Sequence, residues 1–149
     1  MRAVVQRVKG AKVEIEGKKV GEIDQGLLVF LGIGERDSEK DAEYLVNKIA
    51  HLRIFSDEKG LMNLSIAETG GALLVVSQFT LWADCAKGRR PSFTRAAAPE
   101  RARGLYEHFN RNLQRQGLRV ATGVFQELME VHLINDGPVT ILLDSEKTF

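Results

Sequence analysis

Few residues in this chain have the types and spacing to do chemistry. At Ser77-Gln78-Phe79-Thr80 an apolar run, Ala72 to Val76, ends in three hydrogen-bonding side chains. Such groups at the end of a buried strand must find internal partners or face a ligand, because an unpaired one costs about 1–3 kcal/mol. A second set runs from Lys87 to Arg95, where Lys87, Arg89, Arg90 and Arg95 sit among Gly88, Pro91, Ser92 and Phe93. A loop of this composition can wrap phosphates with side chains and free backbone N–H groups, while Phe93 offers a stacking face. A third is Asn135-Asp136-Gly137-Pro138, whose composition reads as a hairpin turn between two strands. Other chemistries lack support. His51, His108 and His132 stand apart without paired ligand spacing, and there is no CxxC, so no metal site and no cofactor are expected. Cys85 has no activating neighbour in sequence and reads as an ordinary thiol. Gly32-Ile33-Gly34 lacks the third glycine and the lysine of a phosphate loop, and reads as a structural turn.

The elements that must position these residues are legible from periodicity. Ala3 to Val8, Val13 to Glu16 and Lys19 to Ile23 read as strands, with Gly17 marking a turn. Gly26 to Gly32 is a continuous apolar run, too short for a helix and suited to a strand covered on both faces. Ser38 with Asp41 predicts a helix N-terminus, and Ala42, Leu45, Ile49 and Leu52 form its apolar stripe. Arg53 to Phe55 reads as a short strand, residues 56–60 as an exposed turn, and Ala72 to Val76 as a central strand. A second helix starts near Pro99 and carries Leu105, Phe109 and Leu113 at four-residue spacing, with Gly117 as its stop. Arg119 to Ala121, Val131 to Ile134 and Val139 to Leu143 complete the strands. Short strands with two main helices, not in strict βαβ alternation, predict an α+β fold with a small barrel-like or mixed sheet.

At 149 residues the sequence reads as one domain over its whole length, 1–149, with a core large enough to need no disulfide. A single cysteine and an N-terminal stretch with no signal-peptide pattern point to a reducing, cytoplasmic setting. No apolar run approaches membrane-spanning length, so no membrane partner is expected. The net charge of +1 hides an asymmetry. Between Lys87 and Arg119 there are nine bases against two acids, +7, which leaves −6 for the remainder. Arg111, Arg115 and Arg119 fit a solvated helix face, whereas the Lys87–Arg95 loop fits nucleic acid.

Met1-Arg-Ala-Val-Val-Gln-Arg-Val8, Ser77-Gln-Phe-Thr-Leu81, Gly88-Arg-Arg-Pro-Ser-Phe93 and Asn135-Asp-Gly-Pro-Val-Thr140 occur in this order and spacing. Together they resemble the D-aminoacyl-tRNA deacylase family across essentially the whole chain. The resemblance implies a homodimer with a composite site, in which one subunit inserts Gly137 and Pro138, joined by a cis peptide, beside the other's Ser77–Thr80 segment. It also implies hydrolysis of the ester joining a D-amino acid, or glycine, to the terminal adenosine of tRNA, in chiral proofreading that spares L-aminoacyl-tRNA.

That reaction is acyl transfer to water and needs a stabilised oxyanion. Ser77, Gln78, Phe79 and Thr80 are the expected catalytic segment. Thr80 is the obvious nucleophile, yet no histidine or lysine near it in sequence would serve as its base. A site of backbone N–H groups around Ser77 to Thr80, with Phe79 N–H as oxyanion donor, is therefore favoured, and the resemblance implies that the tRNA 2′-hydroxyl helps to activate water. Arg7 reads either as a support for the Gly-Pro turn or as a solvated strand residue. Phe125 and Met129, four apart, either wall the pocket or pack in the core, and Asp136 reads as a turn residue. Trp82, Cys85 and Arg89 depart from the usual family pattern and bear on loop packing and tRNA contact. The rival readings are a non-catalytic RNA-binding dimer and a generic small-ester hydrolase.

Overall fold

The computed structural model describes residues 1–148. Its organising element is β1 (Arg2–Ile15), which is longer than the sequence pattern implies. It turns at Glu16-Gly17 into β2 (Lys18–Ile23), and β3 (Gly26–Gly32) lies antiparallel along its first half. The apolar run of β3 is covered on both faces, as expected. Leu27, Val29 and Leu31 join one core cluster and Leu28 the other.

From β3 the chain crosses through α1 (Glu39–Ala50), a two-stranded sheet of β4 (Phe55–Ser56) and β5 (Met62–Leu64), and the short α2 (Ile66–Thr69). It returns as β6 (Ala72–Ser77), parallel to β3. A 3₁₀ turn (Phe79–Trp82) and the basic loop lead into α3 (Pro99–Arg115), and β7 (Arg119–Thr122) pairs parallel to β6. The strand order is β2-β1-β3-β6-β7, with β8 (Glu130–Asp144) antiparallel to β1. A methyl group on Gly21 of β2 would lie 2.5 Å from the Thr122 carbonyl oxygen of β7. Only glycine permits that approach, and it brings the two ends of the sheet together. The result is an α+β fold around a mixed, nearly closed sheet.

α1 and α3 cover one face of this sheet. Leu45 and Ile49 of α1 and Leu105, Phe109 and Leu113 of α3 are buried against Val5, Val29 and Val75. The α1 cap is the expected one, with the Asp41 carboxylate accepting from the Ser38 N–H and hydroxyl, each at 2.8 Å. Pro99 opens α3, and Gly117 beyond its end takes a left-handed φ of 82°.

Three expectations need correction. The strand expected at Arg53 to Phe55 sits at Phe55–Ser56, and its partner β5 and the short α2 carry no periodicity strong enough to be read. Ala3 to Val8 and the segment from Val13, read as separate strands, lie along the one strand β1, whereas the parallel crossovers β3–α1–β6 and β6–α3–β7 fit the expected absence of strict βαβ alternation. Most consequential, Asn135 to Pro138 is not a hairpin turn. Val131 to Ile134 and Val139 to Leu143 belong to the one strand β8 and pair with the same neighbour, β1. Gln6 pairs with Thr140 and Val8 with Asn135, so β8 advances five residues while β1 advances two. The surplus residues form a bulge in mid-strand.

Candidate active site

The site grows from the end of β6. Val75 and Val76 are buried, but at Ser77 the strand reaches its end and its last ladder partner, Leu31. Gln78 N–H donates to the Leu31 carbonyl at 2.8 Å, and the chain then coils into the 3₁₀ turn. The leading amides of a helical turn have no intrahelical acceptor. Here the N–H groups of Phe79 and Thr80 donate to no protein acceptor among the described residues. They are donors in search of an oxygen.

Beside them opens a cavity of about 680 Å³. Ser77, Gln78 and Phe79 form one end, and Leu31, Ile33 and Val76 contribute to its apolar lining. Phe93 and Phe125 add aromatic walls, with Met129 beside them. Phe79 and Phe93 meet edge to face with centroids 5.1 Å apart, although Phe79 is 58% exposed. Phe125 rests against Tyr106, whose hydroxyl donates to the Val75 carbonyl at 2.7 Å. Burial pushes that phenol up to about 12, so it remains a neutral donor locking α3 to β6.

Six of the residues singled out from sequence therefore converge on one cavity: Ser77, Gln78, Phe79, Phe93, Phe125 and Met129. Thr80 is adjacent but exposed and does not line it, and its hydroxyl accepts a hydrogen bond from the Gln78 side-chain amide. Lys87, Arg89 and Arg90 are exposed in a loop closed by the Asp84–Ser92 bridge, one residue short of Phe93. Their side chains make no ion pair or hydrogen bond among the described residues.

Gly137 and Pro138 lie elsewhere, exposed on the β8 bulge and absent from the cavity of their own chain. Their peptide bond is cis, and Gly137 adopts a φ of 124°. A side chain there would meet both Arg7 Nη2 and Val139 Cγ2 at 2.9 Å. Arg7 itself is not a solvated strand residue. Its side chain is only 12% exposed, with Nε donating to the Asp136 carbonyl at 3.2 Å and Nη1 to the Ile54 carbonyl at 2.6 Å. Asp136 also sets its carboxylate 3.3 Å from Arg7 Nε, so it anchors the bulge. Asn135 closes the bulge from within, since its side-chain oxygen accepts from Val139 N–H at 2.9 Å.

Sequence reasoning missed Ala96, Ala97, Pro99 and Ala102, which line the cavity as small residues around the start of α3, and the segment Gln126 to Leu128. Small and loop residues leave no periodic signal. Glu127 is the single ionisable side chain among the described lining residues. A cluster of Glu14, Glu130 and His132 lies on β1 and β8, but it shares no residue with the cavity and Lys12 already pairs with Glu14.

A family model described as D-Tyr-tRNA(Tyr) deacylase matches residues 4–144. The D-aminoacyl-tRNA deacylase of Koribacter versatilis (strain Ellin345) is 60% identical over 149 residues, covering all of both chains. That of Thermotoga petrophila is 59% identical over the same span. Among solved structures, a c-Myc DNA unwinding element binding protein superposes with a TM-score of 0.91 at 42% identity, covering 97% of this chain and 98% of its own. A probable eukaryotic D-amino acid tRNA deacylase shares the fold at a TM-score of 0.81 and 20% identity, over 95% of this chain and 97% of its own. Full-length identity near 60%, together with the family model, shows that this chain belongs to the D-Tyr-tRNA(Tyr) deacylase family.

Proposed function

We propose that this protein hydrolyses the ester between a D-amino acid and the terminal adenosine of tRNA, and so acts as a chiral proofreading enzyme that recycles mischarged tRNA. One observation carries the reading: free amides at Phe79, which lines one end of an aromatic-walled cavity, and at the adjacent Thr80 lie on the segment the family resemblance marks as catalytic. Two preorganised N–H donors can hold the oxygen of a tetrahedral intermediate, and such donors are each worth about 10²–10³ in rate. The described lining offers one carboxylate and no imidazole or thiol, so we assign no metal and no cofactor to the reaction. Water attacks the ester carbonyl, with the substrate's own 2′-hydroxyl as the group that orients it. The new C–O bond forms as the charge passes to the carbonyl oxygen. Collapse then expels the ribose oxygen, which takes the proton that the attacking water gives up.

The functional unit in this reading is a homodimer in which all of residues 1–149 act as one domain in the cytoplasm. The exposed Gly137–Pro138 bulge of one subunit enters the cavity of the other and sets backbone carbonyls against the substrate's α-carbon. A D-residue directs its side chain outward, whereas the Cβ of an L-residue collides with that wall. Glycine has no Cβ and escapes rejection. The loop carrying Lys87, Arg89 and Arg90 takes the tRNA backbone, with Phe93 at its inner end.

The test is hydrolysis of matched D- and L-tyrosyl-tRNA, and of glycyl-tRNA, with and without chelator. We expect the D- and glycyl esters to be cleaved, the L-ester to survive, and chelator to have no effect. Equal D and L rates would end the chiral reading, and inert glycyl-tRNA its steric basis. A second reading, a non-catalytic nucleic-acid module, is favoured by the basic loop and by the name of the c-Myc DNA unwinding element binding protein. It requires salt-dependent binding without any hydrolysis.

A further inference from the structure

Arg103 differs from most other arginines of this protein. Arg2, Arg7, Arg95 and Arg111 each lie within 4 Å of a carboxylate, and Arg53 and Arg119 donate to backbone carbonyls. Arg103, exposed on the first turns of α3, has no carboxylate partner among the described residues. Its guanidinium instead sits over the Phe125 ring, 4.9 Å from the centroid, and Nη2 donates to the Gln126 side-chain oxygen at 3.2 Å. Both contacts belong to the cavity wall. Gln126 also holds a φ of +66°, a backbone region that residues with a Cβ seldom occupy. An unfavourable conformation kept at a cavity rim suggests a task there. A guanidinium has five N–H donors, and here one makes a hydrogen bond among the described residues, with no carboxylate within 4 Å.

We infer that Arg103 binds the phosphate joining the terminal adenosine of the substrate to the preceding nucleotide. The inference rests on the deacylase reading and adds a polyanion contact to it. The ester carbonyl belongs at the Phe79–Thr80 amides. The adenine then packs on the aromatic lining that Phe79, Phe93 and Phe125 provide. The 5′-phosphate lies beyond the base and ribose, outside the apolar cavity. Arg103 touches this rim through Phe125 and Gln126, while Lys87, Arg89 and Arg90 lie in the Asp84–Ser92 loop next to Phe93. Planar, bidentate donation suits a phosphodiester, and stacking on Phe125 holds the guanidinium ready.

The experiment compares binding of 5′-AMP and of adenosine to the full-length protein by calorimetry, for wild type, R103Q and R103K. The salt dependence of KM for D-tyrosyl-tRNA is measured alongside. Wild type should prefer AMP over adenosine by about tenfold, R103Q should reduce this preference to about twofold or less, and R103K should fall between. R103Q should also reduce the slope of log KM against log salt by about 0.7, the loss of one single-strand phosphate contact. Equal binding of AMP and adenosine by wild type, or absence of binding, overturns the inference. So does a preference that R103Q leaves intact. Weakening of both ligands in the same proportion would show that Arg103 only holds the Phe125–Gln126 wall, and also overturns it. A wild-type protein inert toward D-tyrosyl-tRNA removes the deacylase reading instead, and the nucleotide titration still decides Arg103.

Discussion

Thr80 is the residue where side-chain chemistry and backbone chemistry compete. A hydroxyl becomes a competent nucleophile when a base accepts its proton. The Thr80 hydroxyl instead accepts a hydrogen bond from Gln78, and neither histidine nor lysine reaches it among the described residues. Its amide, by contrast, is free. Thr80→Ala should therefore retain single-turnover hydrolysis of D-tyrosyl-tRNA within about tenfold of wild type, because the amide survives the change. A loss of about 10³ or more in a folded, substrate-binding variant would make the hydroxyl the nucleophile.

At the scale of elements, capping carboxylates join the sheet and helices to pH. Burial raises the Asp41 carboxyl, but hydrogen bonds from Ser38 and Ser145 outweigh it and hold the group below the usual aspartate range. A group lowered in the folded state contributes stability above its unfolded pKa and loses it as pH falls through the folded one. The α1 cap should thus support the fold fully at neutral pH and weaken below about pH 4. Asp41→Asn should cost about 1 kcal/mol at pH 7 and flatten the acid limb of stability. Urea midpoints measured between pH 7 and pH 3 check this. An acid limb as steep as that of wild type would show that Asp41 has no part in it.

The whole molecule presents an incomplete arrangement. One chain carries both a cavity and an exposed bulge, yet the bulge is absent from that cavity. If each bulge serves a partner's cavity, defects in the two must complement. Gly137→Ala forces a Cβ against Arg7 and Val139, displacing the bulge, while Gln78→Ala disturbs the catalytic turn. Each variant alone should be nearly inactive. Mixed and allowed to exchange subunits, they form heterodimers with one intact site of two, so activity should rise to about one quarter of wild type on statistical pairing. No recovery, with exchange verified by mass, would place each site within a single chain. The charge asymmetry belongs to this scale too. A net +1 is uninformative, whereas +7 between Lys87 and Arg119 supplies the loop and the α3 cations to one region of sequence.

The sequence by itself determined the elements whose signals are local. The α1 cap follows from Ser38 and Asp41, the stripe of α3 from residues four apart, and the doubly covered β3 from an unbroken apolar run. It also carried the motifs that mark the family. Tertiary structure alone decided what depends on pairing across distance. Asn135 to Pro138 has the composition of a hairpin, and only the uninterrupted partner β1 turns it into a bulge, since both flanking segments find their hydrogen bonds on the same strand. Arg7 was ambiguous until the bulge and the segment before β4 placed the Asp136 and Ile54 carbonyls within its reach. The cavity was likewise invisible in Ala96, Ala97 and Ala102, because small residues signal no periodicity and line a void only when the fold brings them into one wall with residues such as Phe125. Local physics fixes which residues coil or extend. Long-range pairing fixes which of them meet, and the chemistry resides in the meeting.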